Sequence, residues 1–425
     1  MPIINKKSFA IIIGNALEYY DFMLYGFFAA ILAPLFFPSD TPGMSLIISM
    51  ASYGVGFLAR PLGGIFFGHL GDRWGRKDTL SLSILLVTFP TLGIALLPTY
   101  AQIGIYAPLL LVLCRLLQGF CLGGESSGAM TYLIENVPPH EKDRASAWLV
   151  LSCYAGTLVG TLLGAFFTLP FMPNWGWRLT FIMGSFIALI GYYIRKRLKE
   201  SPEFLESQKQ GKILKVPLKE LFKNEKQNLF YAASISSAVI IPFIIIFIYL
   251  NSLFIKNLYL ESSVVLALNA GLMSVWILLL PLFGFLAQHY GRRIIMSIGV
   301  LGMAAFAYPL FLFMGPTPTL GSILITQLIL SVFAIAYAAP TSALLVDLFP
   351  VNERYSGIAF SYSLGHAIFG GLTPIILTTL VQSFGFTFAP AICLILSCLL
   401  GSTVLYKNCS SSVSQLQQKL RPLSS

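Results

Sequence analysis

Charged residues are scarce in this chain. Only 10% of its 425 residues are Asp, Glu, Lys or Arg, and 56% are hydrophobic. Soluble domains carry about one quarter charged residues, so this composition excludes a soluble globular protein. Apolar stretches of about 20 residues, the length that crosses a bilayer, recur from residue 8 to residue 406. Lipid is therefore the solvent of most of the chain.

Patterns typical of catalysis and metal binding are missing as well. The six cysteines form no CxxC pair, and only Cys409 lies outside an apolar run, which argues against disulfides or a metal site. No nucleophile–base pair, phosphate-binding loop or metal-ligand spacing is present. We therefore expect neither an enzyme nor a cofactor. The first apolar run contains Glu18 and Asp21 and no cleavage site follows it, so it is predicted to be a helix rather than a signal peptide.

Twelve apolar spans are present. We predict them at residues 8–36, 44–69, 79–97, 104–135, 144–170, 176–195, 227–254, 263–288, 294–314, 318–348, 354–383 and 385–406. One long polar interruption separates six spans from the other six. The sequence therefore predicts an all-α membrane protein composed of an N-terminal six-helix bundle (1–195), a cytoplasmic linker loop (196–226), a C-terminal six-helix bundle (227–406) and a short cytoplasmic tail (407–425).

Basic residues lie almost entirely on one side of these spans. Of the 27 Lys and Arg residues, 23 lie on the side of the N-terminus, two (Arg178 and Lys256) on the other side and two (Arg60 and Arg115) within spans. Because basic loops stay in the cytoplasm, both termini are predicted to be cytoplasmic, in a bacterial inner membrane. The net charge of +10 then reflects topology. Its dispersal over many loops argues against a nucleic-acid partner.

Two loop sequences occur once in each half. GHLGDRWGRK at 68–77 shares a frame with GFLAQHYGRR at 284–293, and VPPHEKDRAS at 137–146 resembles FPVNERYSG at 349–357. Equivalent loops on one face indicate two pseudo-symmetric repeats, with substrate bound between them near the middle of the membrane. Gln288 stands where the first repeat has Asp72, which predicts an asymmetric lock between the halves.

The chain resembles the major facilitator superfamily and, within it, the metabolite:proton symporters. The loop at 68–77 matches the superfamily's signature loop. The symporter family is indicated by GNALEYYDFMLYGFFA (14–29), ARPLGGIFFG (59–68), RLLQGFCLGGES (115–126), WGWR (175–178), LFPVNERYSG (348–357) and FGGLTP (369–374).

The resemblance implies a secondary transporter that takes up a small carboxylated or zwitterionic metabolite together with protons, by alternating access. Family members transport proline and betaine, 2-oxoglutarate, citrate or shikimate. The RYSG and GGLTP segments are most similar to the proline/betaine osmolyte branch. We expect the chain to function as a monomer in the lipid bilayer. The alternative function is a proton-coupled exporter or drug antiporter of the same fold.

A few ionisable residues lie at membrane depth, where each costs roughly a few kcal/mol. Glu18 and Asp21 share one face of the first helix, and Arg115 lies at a similar depth on the fourth. Both helices face the central cavity in the superfamily's fold, so the resemblance implies that Asp21 or Glu18 reaches Arg115. A substrate carboxylate that captures Arg115 would raise the proton affinity of the acid. We predict Asp21 as proton carrier and Glu18 as its partner; a permanent ion pair is the alternative.

Other polar residues within the spans complete the predicted site. His366 is the only histidine well inside a span, so it is a candidate for proton coupling, with a packing role as the alternative. Arg60 is expected to extend towards the cytoplasmic surface in a structural role, with a functional role as the alternative. The predicted substrate contacts are Arg115, Tyr19, Tyr20, Tyr25, Gln118 and Tyr362, since aromatic faces suit a quaternary ammonium; for the tyrosines and Gln118, plain packing is the alternative.

The signature loop is predicted to act as a gate, with simple anchoring of the topology as the alternative. Gly68 and Gly75 permit close packing and a sharp turn, and Asp72 can cap a helix start and pair with basic groups across the two halves. Glu125 is expected to contact the arginines of this loop, with a proton relay as the alternative. The predicted gating residues are Gly68, Asp72, Arg73, Gly75, Arg76, Glu125, Arg292 and Arg293.

Overall fold

The structure, a computed structural model, describes residues 6–40, 44–167, 171–173, 175–211, 214, 217–260, 262–382 and 387–420, and within them all regular secondary structure is helical. The helices of the first half are α1 (Lys6–Phe36), α2 (Met44–Arg73), α3 (Arg76–Leu96), α4 (Tyr100–Ile103), α5 (Tyr106–Glu135), α6 (Lys142–Phe167) and α7 (Trp177–Lys196). Two eight-residue helices follow in the predicted linker, α8 (Pro202–Lys209) and α9 (Pro217–Asn224).

The second half contains helices with irregular turns. Its helices are α10 (Lys226–Ile244), α11 (Leu250–Leu258), α12 (Ser262–Tyr290), α13 (Arg292–Met314), α14 (Leu320–Ala338), α15 (Thr341–Leu348), α16 (Arg354–Gly365), α17 (Gly371–Gln382) and α18 (Ala389–Leu420). A π-helical turn at Ile245–Tyr249 joins α10 to α11, and another at His366–Gly370 joins α16 to α17. Such turns release backbone carbonyls from the helical ladder and are frequent at functional sites.

The helices are long enough to cross a membrane. Within the described residues, nine helical segments are both long and apolar enough, and Ala389–Leu405 is a shorter apolar segment. α1 and α2 contain 31 and 30 residues, which corresponds to about 45 Å each at 1.5 Å per residue. Together these elements make twelve crossings, which confirms the predicted all-α fold. The boundaries of its two bundles stay a prediction.

The outer surface of the bundle is apolar. Large side chains such as Phe186, Leu278 and Leu312 are more than half exposed. In water such a surface would aggregate, whereas in a bilayer these side chains face lipid. The apolar composition noted in the sequence therefore lies where lipid contacts the protein.

Glycines bring α2 and α5 into backbone contact. A Cβ on Gly119 of α5 would lie 1.8 Å from the carbonyl oxygen of Gly56, and one on Gly63 of α2 would lie 1.7 Å from that of Phe120. Small residues allow membrane helices to approach this closely. Because the contact brackets Arg60, it determines how that arginine is oriented on α2.

The repeated loops have the same backbone geometry. Gly75 precedes α3 with φ 119°, and Gly291 precedes α13 with φ 93°. These angles lie in the left-handed region that favours glycine. The two glycines occupy the same position of the 68–77 and 284–293 sequences, so the internal repeat seen in the sequence is also present in the structure. We call the face that contains both loops, and at which α1 begins, the basic face.

Candidate functional site

A cavity of about 1220 Å³ lies between the two halves. It extends from the level of Arg60 towards the face opposite the basic face, where Ala51 and Thr379 line it. Residues of α1, α2, α5 and α6 form one wall, and residues of α10, α15, α16 and the π-helical turns form the other. A cleft of this kind between two domains is the usual place for a small-molecule site.

Arg60 is the cation on the cavity wall. Only 3% of the residue is exposed, and its guanidinium lies 5.7 Å from the centroid of the Phe57 ring. Among the described residues its Nε atom has no hydrogen-bond partner, and none of their ion pairs includes Arg60. The expectation that Arg60 extends to the membrane surface is therefore wrong, because the glycine contact between α2 and α5 holds it at the cavity.

Glu18 lies behind the same wall. It is 5% exposed and accepts a hydrogen bond from the cavity-lining Ser126 at 3.4 Å. Its Oε2 atom has no hydrogen-bond partner among the described residues. Arg60 and Arg195 are close enough for their charges to act on it. Glu18 is thus a buried carboxyl group that is only weakly held.

Asp21 and Arg115 belong to a different, fully packed network. Gln118 donates to Asp21 Oδ2 at 3.1 Å and accepts from Arg115 at 2.8 Å, so the amide bridges the two predicted partners. Thr91 of α3 donates to the same Asp21 oxygen at 2.6 Å. The sequence placed Asp21 and Arg115 near each other, but it did not predict Gln118 and Thr91 as the connecting residues.

The predicted aromatic contacts divide between the cavity and the first bundle. Tyr19 and Tyr362 line the cavity. Tyr20 instead donates to the carbonyl of Thr180 at 2.9 Å, and Tyr25 packs under Arg115, whose guanidinium lies 4.5 Å from the ring centroid. Tyr20, Tyr25, Arg115 and Gln118 are not among the residues that line this cavity. Their predicted contact with substrate is therefore not direct in this conformation.

His366 lies on the opposite wall, at the first residue of the second π-helical turn. Its ring packs on Tyr362 with centroids 4.2 Å apart. Its Nδ1 atom is 2.5 Å from the hydroxyl of Ser236 and 3.1 Å from the carbonyl oxygen of Tyr362. The histidine singled out in the sequence thus faces Arg60 across the site.

The basic face is closed by contacts between α2 and α16. Asp72 accepts the backbone N–H groups of Tyr355 and Ser356 at 3.1 and 2.8 Å, and it pairs with Arg76 at 3.2 Å. Asp72 thus caps a helix start, as the sequence predicts, and the helix belongs to the other half. The ion pair that was predicted across the halves is instead made within the same loop, to Arg76. Gly68 lies against Ser356, whose Cα would be 2.7 Å from an added Cβ. The gating role of these residues stays a prediction.

Glu135 connects the arginines of this closure. It pairs with Arg354 at 2.8 Å and with Arg76 at 3.4 Å. Glu203 of α8 also contacts Arg354, at 2.5 Å, so the linker takes part.

Glu125 is predicted to contact the signature-loop arginines, but it instead pairs with Arg195 of α7 and accepts a hydrogen bond from Ser83 at 2.5 Å. That expectation is wrong because Glu125 lies almost three turns from the end of α5, too deep to reach them.

A second set of ion pairs closes the other side of the basic face. Arg292 contacts Asp143 at 2.9 Å and Asp347 at 2.7 Å, and Lys142 contacts Asp347 at 2.8 Å. Asp347, at the end of α15, therefore supplies an acid that the second repeat lacks at Gln288. The contacts that close the two sides of the basic face are therefore less unequal than the sequence predicts. Arg293 is half-buried beside them, and Arg73 is exposed.

Two acids outside the membrane-spanning helices have perturbed pKa values. Burial raises the pKa of Glu200, although its carboxylate accepts the backbone N–H groups of Ser201, Lys77 and Arg76. Burial, followed by the negative charges of Glu225, Asp72 and Glu220, raises the pKa of Glu353 to about 7. Glu353 directly precedes α16, so the closure contains a group that titrates near neutral pH.

A family model described as Major Facilitator Superfamily matches residues 11–281 and 261–418 of the chain. The chain belongs to the major facilitator superfamily. It is 32% identical over 419 residues to the glycine betaine/proline/ectoine/pipecolic acid transporter OusA of Dickeya dadantii, covering 94% of this chain and 82% of that protein. It is 33% identical over 399 residues to a putative proline/betaine transporter of Staphylococcus aureus, covering 91% of this chain and 84% of that protein.

A solved structure has the same fold. The proton:xylose symporter XylE bound to 6-bromo-6-deoxy-D-glucose superposes with a TM-score of 0.78 over 94% of each chain, at 18% identity. The relatives are transporters of the superfamily, so this member is a multi-pass membrane transporter and not an enzyme. The predicted family, fold and transporter class are confirmed. The sequence did not predict that Arg60 lines the cavity or that Glu135, Asp347 and Arg354 close it. A signal was present for Arg354, which lies within the repeated 349–357 loop.

Proposed function

We propose that this superfamily member takes up a small zwitterionic osmolyte of the proline/betaine class together with protons. The observation that carries the proposal is the guanidinium of Arg60 on the wall of the central cavity, which has no carboxylate partner among the described residues. A buried cation without a partner is costly, and a substrate carboxylate would supply one. The names of the relatives, proline/betaine transporters, support this substrate class.

The remaining cavity wall fits the other end of such a substrate. Tyr19, Tyr154, Phe243 and Tyr362 line the cavity around Arg60. Aromatic faces attract ammonium groups, including fully methylated ones. Among the described residues, no carboxylate lines this cavity, so an amine without its own negative charge would lack an ionic partner there. A zwitterion therefore matches the site better than a cation.

Glu18 is the proposed proton carrier. It lies next to Ser126 at the cavity and within the field of Arg60, whereas Asp21 already accepts two hydrogen bonds through Oδ2. When the substrate carboxylate neutralises Arg60, Glu18 loses that charge as a partner and takes up a proton. Substrate and proton then move together. This assignment replaces the sequence-based preference for Asp21.

The closed basic face supports a direction of access. Because basic loops lie in the cytoplasm, the cavity faces the outside in this structure and the ion pairs around Glu135 and Asp347 close the inside. Release into the cell then requires these contacts to open while the outer part of the cavity closes, as rocking of two repeats allows.

Uptake by the purified chain in proteoliposomes tests the proposal. Labelled glycine betaine and L-proline should accumulate when the outside is made acidic, and a protonophore should abolish accumulation. Accumulation that persists without the pH gradient would overturn proton coupling. Citrate and 2-oxoglutarate are the comparison substrates, and preference for either would overturn the substrate class.

Two variants separate the candidate proton carriers. Glu18→Gln should abolish accumulation driven by the pH gradient but retain exchange of labelled for unlabelled substrate at equal pH, because exchange needs no net proton movement. Asp21→Asn should reduce both activities together, since it perturbs the packed network with Gln118 and Thr91. The reverse pattern would return the role to Asp21.

A further inference from the structure

Two polar atoms contact one nitrogen of His366 and form a triangle with it. Nδ1 lies 2.5 Å from Ser236 Oγ and 3.1 Å from the carbonyl oxygen of Tyr362, and Ser236 Oγ lies 3.0 Å from that same carbonyl oxygen. Both hydrogen-bond contacts that the described residues make with the ring are at Nδ1. The triangle contains one obligate acceptor, the carbonyl, and two groups that can each donate.

Only one distribution of protons satisfies all three contacts. If Ser236 donates to Nδ1, the ring nitrogen and the Tyr362 carbonyl present lone pairs to each other, and the serine oxygen faces the same carbonyl without a hydrogen. If Nδ1 carries the proton, Ser236 donates to the carbonyl and accepts from the ring, so every contact is attractive. The Nδ1–H tautomer is therefore the stable one, and Nε2 carries the lone pair.

Nε2 is the ring nitrogen that is left for a ligand in the cavity. His366 lines the cavity although only 4% of the residue is exposed. Its Nδ1 edge is turned towards Ser236 and Tyr362. Arg60 is close enough for its charge to act on the imidazole, so a second ring proton would place two positive charges near each other in a buried site. The ring presents a hydrogen-bond acceptor to a ligand that Arg60 holds by its carboxylate.

We propose that His366 Nε2 is a specificity-determining acceptor for the N–H of the substrate's ammonium group. This inference rests on the proposed function. A secondary ammonium, as in proline, donates an N–H to the ring. A quaternary ammonium, as in glycine betaine, has no such hydrogen and binds only through the aromatic wall. The two kinds of zwitterion are thus recognised by different residues of one cavity.

A series of ligands that differ only in N–H groups tests the assignment. L-proline, N-methyl-L-proline and N,N-dimethyl-L-proline have the same ring and carboxylate, with two, one and no N–H bonds. Their Kd values are measured by calorimetry on the purified full chain and on His366→Leu. We expect the variant to bind L-proline at least about tenfold more weakly, the loss that follows when a charged hydrogen bond is removed. Binding of N,N-dimethyl-L-proline should be unchanged.

A conservative variant separates recognition from packing. His366→Gln places an amide oxygen near the position of Nε2. It should restore the ratio between the Kd of L-proline and the Kd of N,N-dimethyl-L-proline. If His366→Leu does not accumulate, His366→Phe keeps an aromatic ring against Tyr362 and answers the same question. An unchanged ratio in either apolar variant, or failure of glutamine to restore it, overturns the inference alone. Absence of binding of all three ligands to the unaltered chain overturns the proposed function with it.

Discussion

Asp72 on α2 accepts the backbone N–H of Ser356 on α16 at 2.8 Å, although the two residues are 284 positions apart in the chain. The carboxylate thereby caps a helix that belongs to the other half of the molecule. Because anions at a helix N-terminus are stabilising, this contact favours the conformation in which the basic face is closed.

Asp72→Asn should slow transport without weakening binding. The amide keeps the size of the side chain but loses the charge that serves α16 and Arg76. Because hydrogen bonds to a charged group contribute a substantial free energy, turnover should fall at least about tenfold. The Kd of glycine betaine should stay near its original value. Turnover and Kd are measured on the same preparation. A loss of affinity as large as the loss of turnover would contradict a gating role.

Gly64→Ala should prevent the basic face from closing. A Cβ at Gly64 would lie 2.4 Å from the carbonyl oxygen of Ala359 on α16, a backbone atom that cannot move alone. The distance between spin labels at the exposed positions Asp78 and Tyr290 should therefore lengthen. Gly271→Ala is the matched control, because an added Cβ there meets nothing within 4 Å. Equal distances in the two variants would contradict the close approach.

The pH dependence of closure should follow Glu353. Its pKa is raised to about 7 in this conformation by burial and by the charges of Glu225, Asp72 and Glu220, against an ordinary value near 4.3. A raised carboxyl pKa means that closure is favoured while the acid is protonated. That contribution is complete below the ordinary pKa and is lost as the pH rises through about 7.

The label distance between Asp78 and Tyr290 should accordingly lengthen between pH 5 and pH 8. Glu353→Gln is neutral at every pH, so the part of the change that is due to this residue should disappear. The difference between the two proteins isolates Glu353 from other titrating groups. An identical pH profile in both would show that Glu353 does not contribute.

The acids at the basic face should differ greatly in importance. The side chain of Glu135 is fully buried between Arg76 and Arg354, so Glu135→Gln removes the carboxylate that these two guanidinium groups share and leaves Arg76 with Asp72 and Arg354 with Glu203. The free energy of unfolding should fall by about 1.5–3 kcal/mol, the contribution of a buried hydrogen bond to a charged group. Glu203 has 35% of its side chain exposed, so Glu203→Gln should cost at most about 1 kcal/mol. Unfolding in detergent, followed by tryptophan fluorescence, compares the two.

The twelve helical crossings were predictable because lipid imposes length and hydrophobicity on each crossing. The repeated loops were also predictable, since Gly75 and Gly291 require backbone angles that favour glycine and therefore leave a pattern in the sequence. Both features depend on local properties of the chain. They needed no knowledge of how one helix is rotated against another.

The partners of residues within the site were less predictable, because they depend on how one helix is rotated against another. Arg60 faces the cavity because Gly56 and Gly63 hold α2 against α5, a rotation that residue spacing alone does not reveal. Asp21 meets Arg115 through Gln118, since all three side chains pack in the interior of the first bundle. The sequence placed Asp21 and Arg115 at a similar depth, which their shared partner Gln118 agrees with, but it did not predict the depth at which Glu125 is paired or the direction in which Arg60 points.

The Kd of glycine betaine for Arg60→Gln, measured by calorimetry beside the unaltered chain, decides whether Arg60 binds the carboxylate of the substrate. Choline, which has the same quaternary ammonium and no carboxylate, is the comparison ligand. We expect glycine betaine to bind at least about tenfold more weakly to the variant, because a charge-assisted hydrogen bond is removed, while any binding of choline does not weaken. An unchanged Kd for glycine betaine would contradict the account.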